Sequence, residues 1–106
     1  MSQPVQSTLV GLTVAVVWDI DGDRKQWYLA RVTDTDDMGN YVCDHYERVK
    51  AEENSLWRRP TRDDIQDVSD VQILKVEIKS EWIFTGRLTH LKLLNSEDVS
   101  KMFTEV

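Results

Sequence analysis

Cys43 and His45 are the side chains in this sequence best suited to nucleophilic chemistry. Two positions apart on an extended strand, they lie on the same face, where an imidazole can act as the base for a thiol. Neither stands in a nucleophile elbow or in a loop that would stabilise developing charge. Because cysteine is among the most buried residue types, we interpret Cys43 as a core thiol and expect a protein that is not an enzyme.

The acidic run at residues 19–23, with sequence DIDGD, has some of the features of a calcium-binding loop. Such a loop needs glycine at its sixth position and glutamate at its twelfth, which here are Arg24 and Ala30. One cysteine and two histidines do not make a zinc ligand set. The four glycines stand too far apart for a phosphate loop. We therefore expect no metal ion and no other cofactor.

Aromatic side chains remain as candidates for recognition. Those with a polar tip are Trp18, Trp27, Tyr28, Tyr41, Tyr46, Trp57 and Trp82. The negative potential of a ring face attracts a quaternary ammonium, and a methylated lysine keeps its charge while losing hydration. In a small domain several of these rings must pack in the core. The rest could form an aromatic box or anchor a partner chain.

The composition limits the class of protein and its partners. At 106 residues the chain fits one domain, and no apolar run is long enough to span a membrane. Residues 1–4 have neither the basic start nor the apolar stretch of a secretory signal, so we expect an intracellular protein with no membrane partner. The net charge of −6 disfavours a phosphate-binding surface and favours a basic partner.

The elements that must position these side chains are mainly strands. β-Branched and aromatic runs between turn residues predict strands at residues 13–20, 26–32, 40–46, 56–59 and 68–79, and a hairpin at 82–94. Asp21-Gly22 is a hairpin signal between the first two strands. Residues 48–55 fit either a loop or one helical turn. The leucines from Leu88 to Leu94 also fit a helix.

A short helix is predicted at the end of the chain. Asn95 or Ser96 would cap it, and Val99, Met102 and Phe103 would face the body of the domain. The whole pattern predicts a mainly β fold, a small closed or half-closed antiparallel barrel with a C-terminal helix. We expect a flexible tail at 1–10, the barrel at 11–95 and the helix at 96–106. Much of its core should be Val14, Val16, Trp27, Leu29, Val32, Ile73 and Val76.

Residues 14–32 and 40–44 carry a family resemblance. The first stretch has an apolar Val-Ala strand, an acidic turn and a Trp-Tyr-Leu-Ala strand that ends in Val32. The second, with sequence NYVCD, is similar to the third strand of the same family. Together they resemble tudor-type SH3-like barrels, and especially the tandem-tudor domain of the SAGA-associated histone reader. Residues 47–56, and the stretch from Trp57 to Leu74, have no counterpart there, and no second tudor repeat follows residue 60.

The resemblance implies an SH3-like barrel that binds methylated lysine or arginine in an aromatic cage, as in a histone-tail reader of the nucleus. Tyr41 matches a cage aromatic, and Tyr46 stands where a second wall often comes from. Asp21 and Asp23 match an acidic pair that meets the N-terminal end of the tail. Trp27 matches a residue that is more often structural.

We therefore predict a peptide-binding site and keep two other functions open. Its residues would be Tyr41 and Tyr46, with Trp18 or Tyr28, as ring faces, Asp44 as a carboxylate at the cage edge, and Asp21 and Asp23 as attractors of the positive peptide. One alternative is an SH3-like protein–protein interaction module without a cage. The other is a nucleic-acid-binding barrel that uses Arg58, Arg59 and Arg62 beside Trp57.

Overall fold

The computed structural model of the chain describes residues 9–20, 22 and 24–105. The predicted tail therefore lies largely outside the described residues, as do Asp21 and Asp23. The elements in chain order are β1 (Thr13–Asp19), β2 (Lys25–Thr35), β3 (Tyr41–His45), β4 (Glu47–Arg48), β5 (Leu56–Arg58), β6 (Ile65–Val68), β7 (Ser80–Thr85), β8 (Leu88–Leu93) and α1 (Ser96–Thr104). None of the helices in the described part of the chain has the length and apolar character to cross a membrane.

The first antiparallel sheet has the strand order β1-β2-β3-β6. Gly22, at the tip of the predicted β1–β2 hairpin, has a φ of 72°, which a residue without a Cβ adopts at little cost. Beyond β6 the chain returns to β1, where Ile73 forms a bridge with Val16. The N–H of Leu74 also donates to the carbonyl oxygen of Ala15 at 3.0 Å. The segment after β6 therefore runs back to the first strand of the sheet.

The strand predicted at residues 68–79 is wrong over most of its length. Only Val68 belongs to a strand, and a 3-10 turn at Asp70–Gln72 follows it. The Gln72 side chain accepts from the N–H of Ser69 at 3.1 Å and donates to the carbonyl oxygen of Val17 at 3.2 Å. These side-chain hydrogen bonds give the backbone groups of Ser69 and Val17 the partners that a neighbouring strand would otherwise supply. They allow the chain to turn toward β1.

The second antiparallel sheet has the order β4-β5-β8-β7. Its β7–β8 hairpin confirms the hairpin predicted at residues 82–94, and Gly86 in the turn has a φ of 59°. The helical alternative for this segment is wrong. Residues 49–55 form a loop without a helix, and β4 begins one residue after Tyr46. The mainly β fold with antiparallel sheets and a short C-terminal helix is confirmed.

The buried side chains form two clusters on the two faces of the first sheet. The interlayer cluster lies between the sheets and α1 and contains Ala15, Trp27, Leu29, Tyr46, Trp57, Leu74, Leu91, Leu93 and Val99. The inner cluster lies inside the curved first sheet and contains Val14, Val16, Ala30, Val32, Tyr41, Cys43, Val68 and Ile73. Alternation along β1 and β2 divides their residues between the two. The predicted core is confirmed, with Val76 only half-buried.

The C-terminal helix is confirmed, but its predicted cap is not. Val99 is fully buried, and Met102 and Phe103 pack against the interlayer cluster. Asn95 occupies the N-cap position, but its side chain makes no capping bond. Its amide instead donates to the carbonyl oxygen of Glu77 at 2.7 Å, and its oxygen accepts from the N–H of Lys79 at 2.9 Å. Asn95 therefore ties the start of α1 to the segment that precedes β7.

Candidate ligand-binding cleft

Trp18, Tyr28 and His45 come from three neighbouring strands and meet at one end of the first sheet. Trp18 pairs with Gln26, so Tyr28, two residues further along β2, is its diagonal neighbour. His45 pairs with Ala30, the next residue after Tyr28 on the same face of β2. The register therefore brings two of the predicted ring residues together, with an imidazole beside them that was not predicted as part of the site.

An open cleft of about 360 Å³ lies against these rings. Its lining residues are Trp18, Asp19, Ile20, Tyr28, His45, Asp64 and Gln66. Two of them are carboxylates, and none of the described lining residues is lysine or arginine. Asp19 and Asp64 are exposed, so the rim of the cleft is negative while its walls are aromatic. This combination favours a cation with an apolar surface.

His45 fixes the position of Trp18. The indole Nε1–H of Trp18 donates to Nε2 of His45 at 3.0 Å. An indole nitrogen can only donate, so Nε2 carries no proton, and Nδ1–H donates to the carbonyl oxygen of Asp64 at 3.1 Å. Both ring nitrogens of His45 are therefore hydrogen-bonded within the chain. His45 is 4% exposed, and the two rings lie 5.6 Å apart, so the Trp18 wall is held in place before any ligand arrives.

Tyr41 and Tyr46, the two rings that the sequence placed first in the cage, are buried apart from each other. Tyr41 is 2% exposed in the inner cluster, and Tyr46 is 6% exposed in the interlayer cluster. Burial raises the pKa of both phenols. Tyr46 follows the last residue of β3 and packs edge-on against Trp82 at 6.0 Å. The structure does not assemble a cage from this pair, because residues an odd number of positions apart on an extended chain point to opposite faces, and the two rings lie in different clusters.

Asp44 also lies apart from the cleft. It is half-buried, pairs across the strands with Arg31, and lines a separate cavity of about 200 Å³ that Arg31 and Arg59 share. Asp44 therefore shares this cavity with two arginines and does not line the cleft beside Trp18 and Tyr28. The predicted acidic pair Asp21 and Asp23 lies outside the described residues. Of the seven predicted site residues, the structure brings Trp18 and Tyr28 together.

The thiol of Cys43 is enclosed in the inner cluster. It is fully buried, and burial, with a smaller contribution from Asp67, raises its pKa to about 11. A thiol with this pKa is protonated at neutral pH, and the thiolate is the nucleophilic form. His45, two residues away, directs its ring nitrogens to Trp18 and Asp64. The geometry therefore favours the core interpretation of Cys43.

A second aromatic site is filled by the chain's own cation. The guanidinium carbon of Arg48 lies 4.4 Å from the ring centroid of Trp57 and 5.1 Å from those of Trp27 and Tyr28. Its Nε donates to Asn54 Oδ1 at 2.8 Å, and its Nη2 donates to the carbonyl oxygen of Trp27 at 2.6 Å. Burial lowers the pKa of Arg48, because the charge is partly removed from water. We call this arrangement the Arg48 box.

No local pattern indicated the Arg48 box, since its members come from β2, β4, β5 and the loop between the last two. The nucleic-acid alternative needs Trp57 as an exposed ring beside Arg58, Arg59 and Arg62, and the structure does not expose it. Trp57 is fully buried, and its indole N–H donates to the carbonyl oxygen of Asn54 at 2.7 Å. The exposed aromatic residues near Arg58 and Arg59 are Trp82 and Phe84.

Fold and cleft define a class of protein: a small mainly β domain with an open, aromatic and acidic cleft. Comparisons with protein-family models, with curated proteins and with solved structures found no match to this chain. In the part of the chain that the structure describes, no three side chains from His, Cys, Asp and Glu form a group able to hold a metal ion.

Proposed function

We propose that this domain is a non-catalytic binding module for a basic peptide, with a methylated lysine or arginine of the peptide held in the Trp18 cleft. A histone tail is the peptide of this chemistry that we propose, and a domain with this ligand would act in the nucleus. The observation that carries the proposal is the meeting of Trp18, Tyr28 and His45 beside the carboxylates of Asp19 and Asp64. The tudor-type resemblance of residues 13–46 implies the same class of ligand.

The physical argument rests on two complementary parts of the cleft. Methylation of a lysine removes hydrogen-bond donors and adds apolar surface, while the positive charge stays. The methylated ammonium is therefore less strongly hydrated and binds more favourably to aromatic ring faces. The indole of Trp18 and the ring of Tyr28 supply such faces. The carboxylates of Asp19 and Asp64 attract the cation over a longer range, and the net charge of −6 attracts the rest of a basic peptide.

An amide NMR titration of the domain with trimethylated and unmodified histone-tail peptides tests this function. We expect larger shifts with the methylated peptide at Tyr28, His45 and Asp64, and at the indole N–H of Trp18, whose bond to His45 reports directly on the cleft. Equal shifts with both peptides, or shifts confined to residues outside the cleft, would refute recognition of the methyl group.

The burial of Tyr41 and Tyr46 favours one other function, an interaction module that binds a partner chain without a cage. Two of the rings expected to hold the methylated group lie in the core, which leaves Trp18 and Tyr28 as the aromatic walls of the cleft. Such a module would bind an unmodified peptide at the same residues as a methylated one. The titration therefore separates the two functions by the ratio of affinities.

A further inference from the structure

Three large apolar side chains are exposed together on the β7–β8 hairpin. Trp82 is 40% exposed, Phe84 75% and Leu88 60%. They line a shallow depression of about 580 Å³ together with Thr89, His90, Arg58 and Arg59. Single exposed apolar residues are common on protein surfaces, but a contiguous group with a polar rim marks an interaction site. We call these seven residues the hairpin patch.

The charge of the hairpin patch is opposite to that of the whole chain. Arg58 and Arg59 flank its apolar residues, and its described lining residues include no carboxylate. The guanidinium of Arg59 lies over the Trp82 ring at 5.9 Å. Arg58 pairs with Glu47 at 2.6 Å, and both of those side chains are well exposed to solvent. An occupant that complements this surface is apolar and carries negative charge.

The hairpin patch also lies next to an open sheet edge. β7 is the last strand in the order β4-β5-β8-β7, so within the described residues β8 is its one strand neighbour. An edge strand presents unpaired N–H and C=O groups to which an extended chain can add. Alternate side chains of an added strand point to one face, so that its apolar residues can reach Trp82 and Phe84 while its other face stays polar.

We propose that the hairpin patch binds an extended segment of a partner protein in which acidic and apolar residues are mixed, added along β7. Its apolar side chains pack on Trp82, Phe84 and Leu88, and a carboxylate pairs with Arg59, whose guanidinium lies over the Trp82 ring. Nucleic acid fits the observations less well. Its affinity grows with the number of phosphates neutralised, and here one of two arginines is already paired with Glu47 in a chain of net charge −6.

Fluorescence anisotropy with a labelled peptide of alternating Glu and Leu tests the proposal. We expect this peptide to bind, and the same peptide with Lys in place of Glu to bind at least about tenfold more weakly. Phe84→Ser and Arg59→Glu should each weaken binding of the Glu peptide by about tenfold. Met38→Ser, at a side chain 84% exposed in the β2–β3 turn, and Lys101→Glu on α1 are the matched controls and should leave binding unchanged.

Several results would overturn the proposal. One is equal binding of the Glu and Lys peptides, or binding that Phe84→Ser does not change. Another is binding of single-stranded oligothymidine that depends on Phe84 and exceeds that of the Glu peptide. A third is self-association of the wild type in analytical ultracentrifugation that Phe84→Ser abolishes, which would make a second copy the occupant. Melting curves of both variants should match the wild type, since the two side chains are exposed.

The hairpin patch does not depend on the Trp18 cleft. An excess of trimethylated histone-tail peptide should leave the anisotropy of the bound Glu peptide unchanged. Displacement of the Glu peptide by the histone-tail peptide would show one shared site and would overturn the proposal of a second binding surface. The experiments can therefore refute the hairpin-patch proposal and the proposed function of the Trp18 cleft independently of each other.

Discussion

Two aromatic sites meet at Tyr28, and they differ in where the cation comes from. In the Arg48 box, Trp27, Tyr28 and Trp57 surround a guanidinium that the chain itself supplies. In the Trp18 cleft, the half-buried rings of Trp18 and Tyr28 lie beside two carboxylates, and the buried His45 is hydrogen-bonded to Trp18. Both have the rings that attract a cation. The first is filled and contributes to the core, whereas the second is open and has a negative rim.

The comparison shows that a cluster of aromatic residues does not by itself identify a ligand site. What distinguishes the cleft is the pairing of ring faces with the carboxylate of Asp64, since none of the described lining residues is lysine or arginine, while Asp19 stands opposite Lys25 in the strand register. In the Arg48 box the counterparts of the cation are an amide oxygen and a backbone carbonyl, which suit a single fixed guanidinium. Loss of the box should cost stability, and loss of the cleft should cost binding.

Arg48→Ala should have the largest effect on stability, about 3 kcal/mol, because it removes the stacked guanidinium, leaves the Trp27 carbonyl without its donor and opens a gap between three rings. Urea unfolding at neutral pH measures the loss. Arg87→Ala, at an exposed residue of the β7–β8 turn, is the control and should cost less than about 0.5 kcal/mol. A loss below about 1 kcal/mol for Arg48→Ala would contradict a structural role for the box.

The inner cluster beneath the cleft should weaken in alkali. The pKa of Cys43 is raised from an ordinary value of 9.0 to about 11, so the folded state favours the neutral thiol. Its stabilising contribution is complete below pH 9 and is lost as the pH rises toward 11, by about 2 to 3 kcal/mol in total.

Cys43→Ala lacks the thiol and should show a smaller fall in the free energy of unfolding between pH 9 and 11 than the wild type. Tyr41 and Tyr46, whose pKa values are also raised, add a fall in the same direction that both proteins share. Urea unfolding at several pH values measures the difference. If the free energy of unfolding fell with pH in parallel for the two proteins, Cys43 would not contribute to the loss of stability in alkali.

Trp18→Leu should weaken binding of the trimethylated peptide by about tenfold, or about 1.4 kcal/mol. The substitution removes a ring face from the cleft and the hydrogen bond to His45. The cost in stability should be smaller than for Arg48→Ala, because Trp18 is only half-buried and water in the open cleft can reach Nε2 of His45. Isothermal titration and urea unfolding separate the two effects. If Trp18→Leu cost more stability than Arg48→Ala, and Arg48→Ala cost more affinity than Trp18→Leu, the cleft would be the structural site and the box the binding site.

Asp64→Asn should have the smallest effect, a loss of about threefold in affinity at low salt that shrinks as the salt concentration rises. The side chain is exposed, so its attraction for the peptide is screened. The backbone carbonyl that accepts from His45 is kept. Asp98→Asn on α1 serves as the matched control and should not change the affinity. A loss independent of salt would point to a direct hydrogen bond rather than to long-range attraction.

Local patterns were sufficient to predict most of the elements and part of the core. Alternation of apolar residues fixed the faces of Trp27 and Leu29 in β2, and the spacing of Val99, Met102 and Phe103 predicted the buried side of α1. These predictions succeeded because the face on which a side chain lies within one strand or helix depends only on its position among neighbouring residues. The strand at 68–79 failed because Gln72 bonds to Val17, a residue distant in the sequence.

The sequence by itself determined a small, acidic, mainly β domain rich in rings. Tertiary structure decided what each ring does. The second sheet covers Tyr46, the return of Ile73 to Val16 encloses Tyr41, and the loop before β5 brings Asn54 and Trp57 around Arg48. Whether an aromatic side chain lies in the core, in the Arg48 box or in the Trp18 cleft depends on which distant strand covers it. That is set by the packing of both sheets together and not by the residues beside it in the chain.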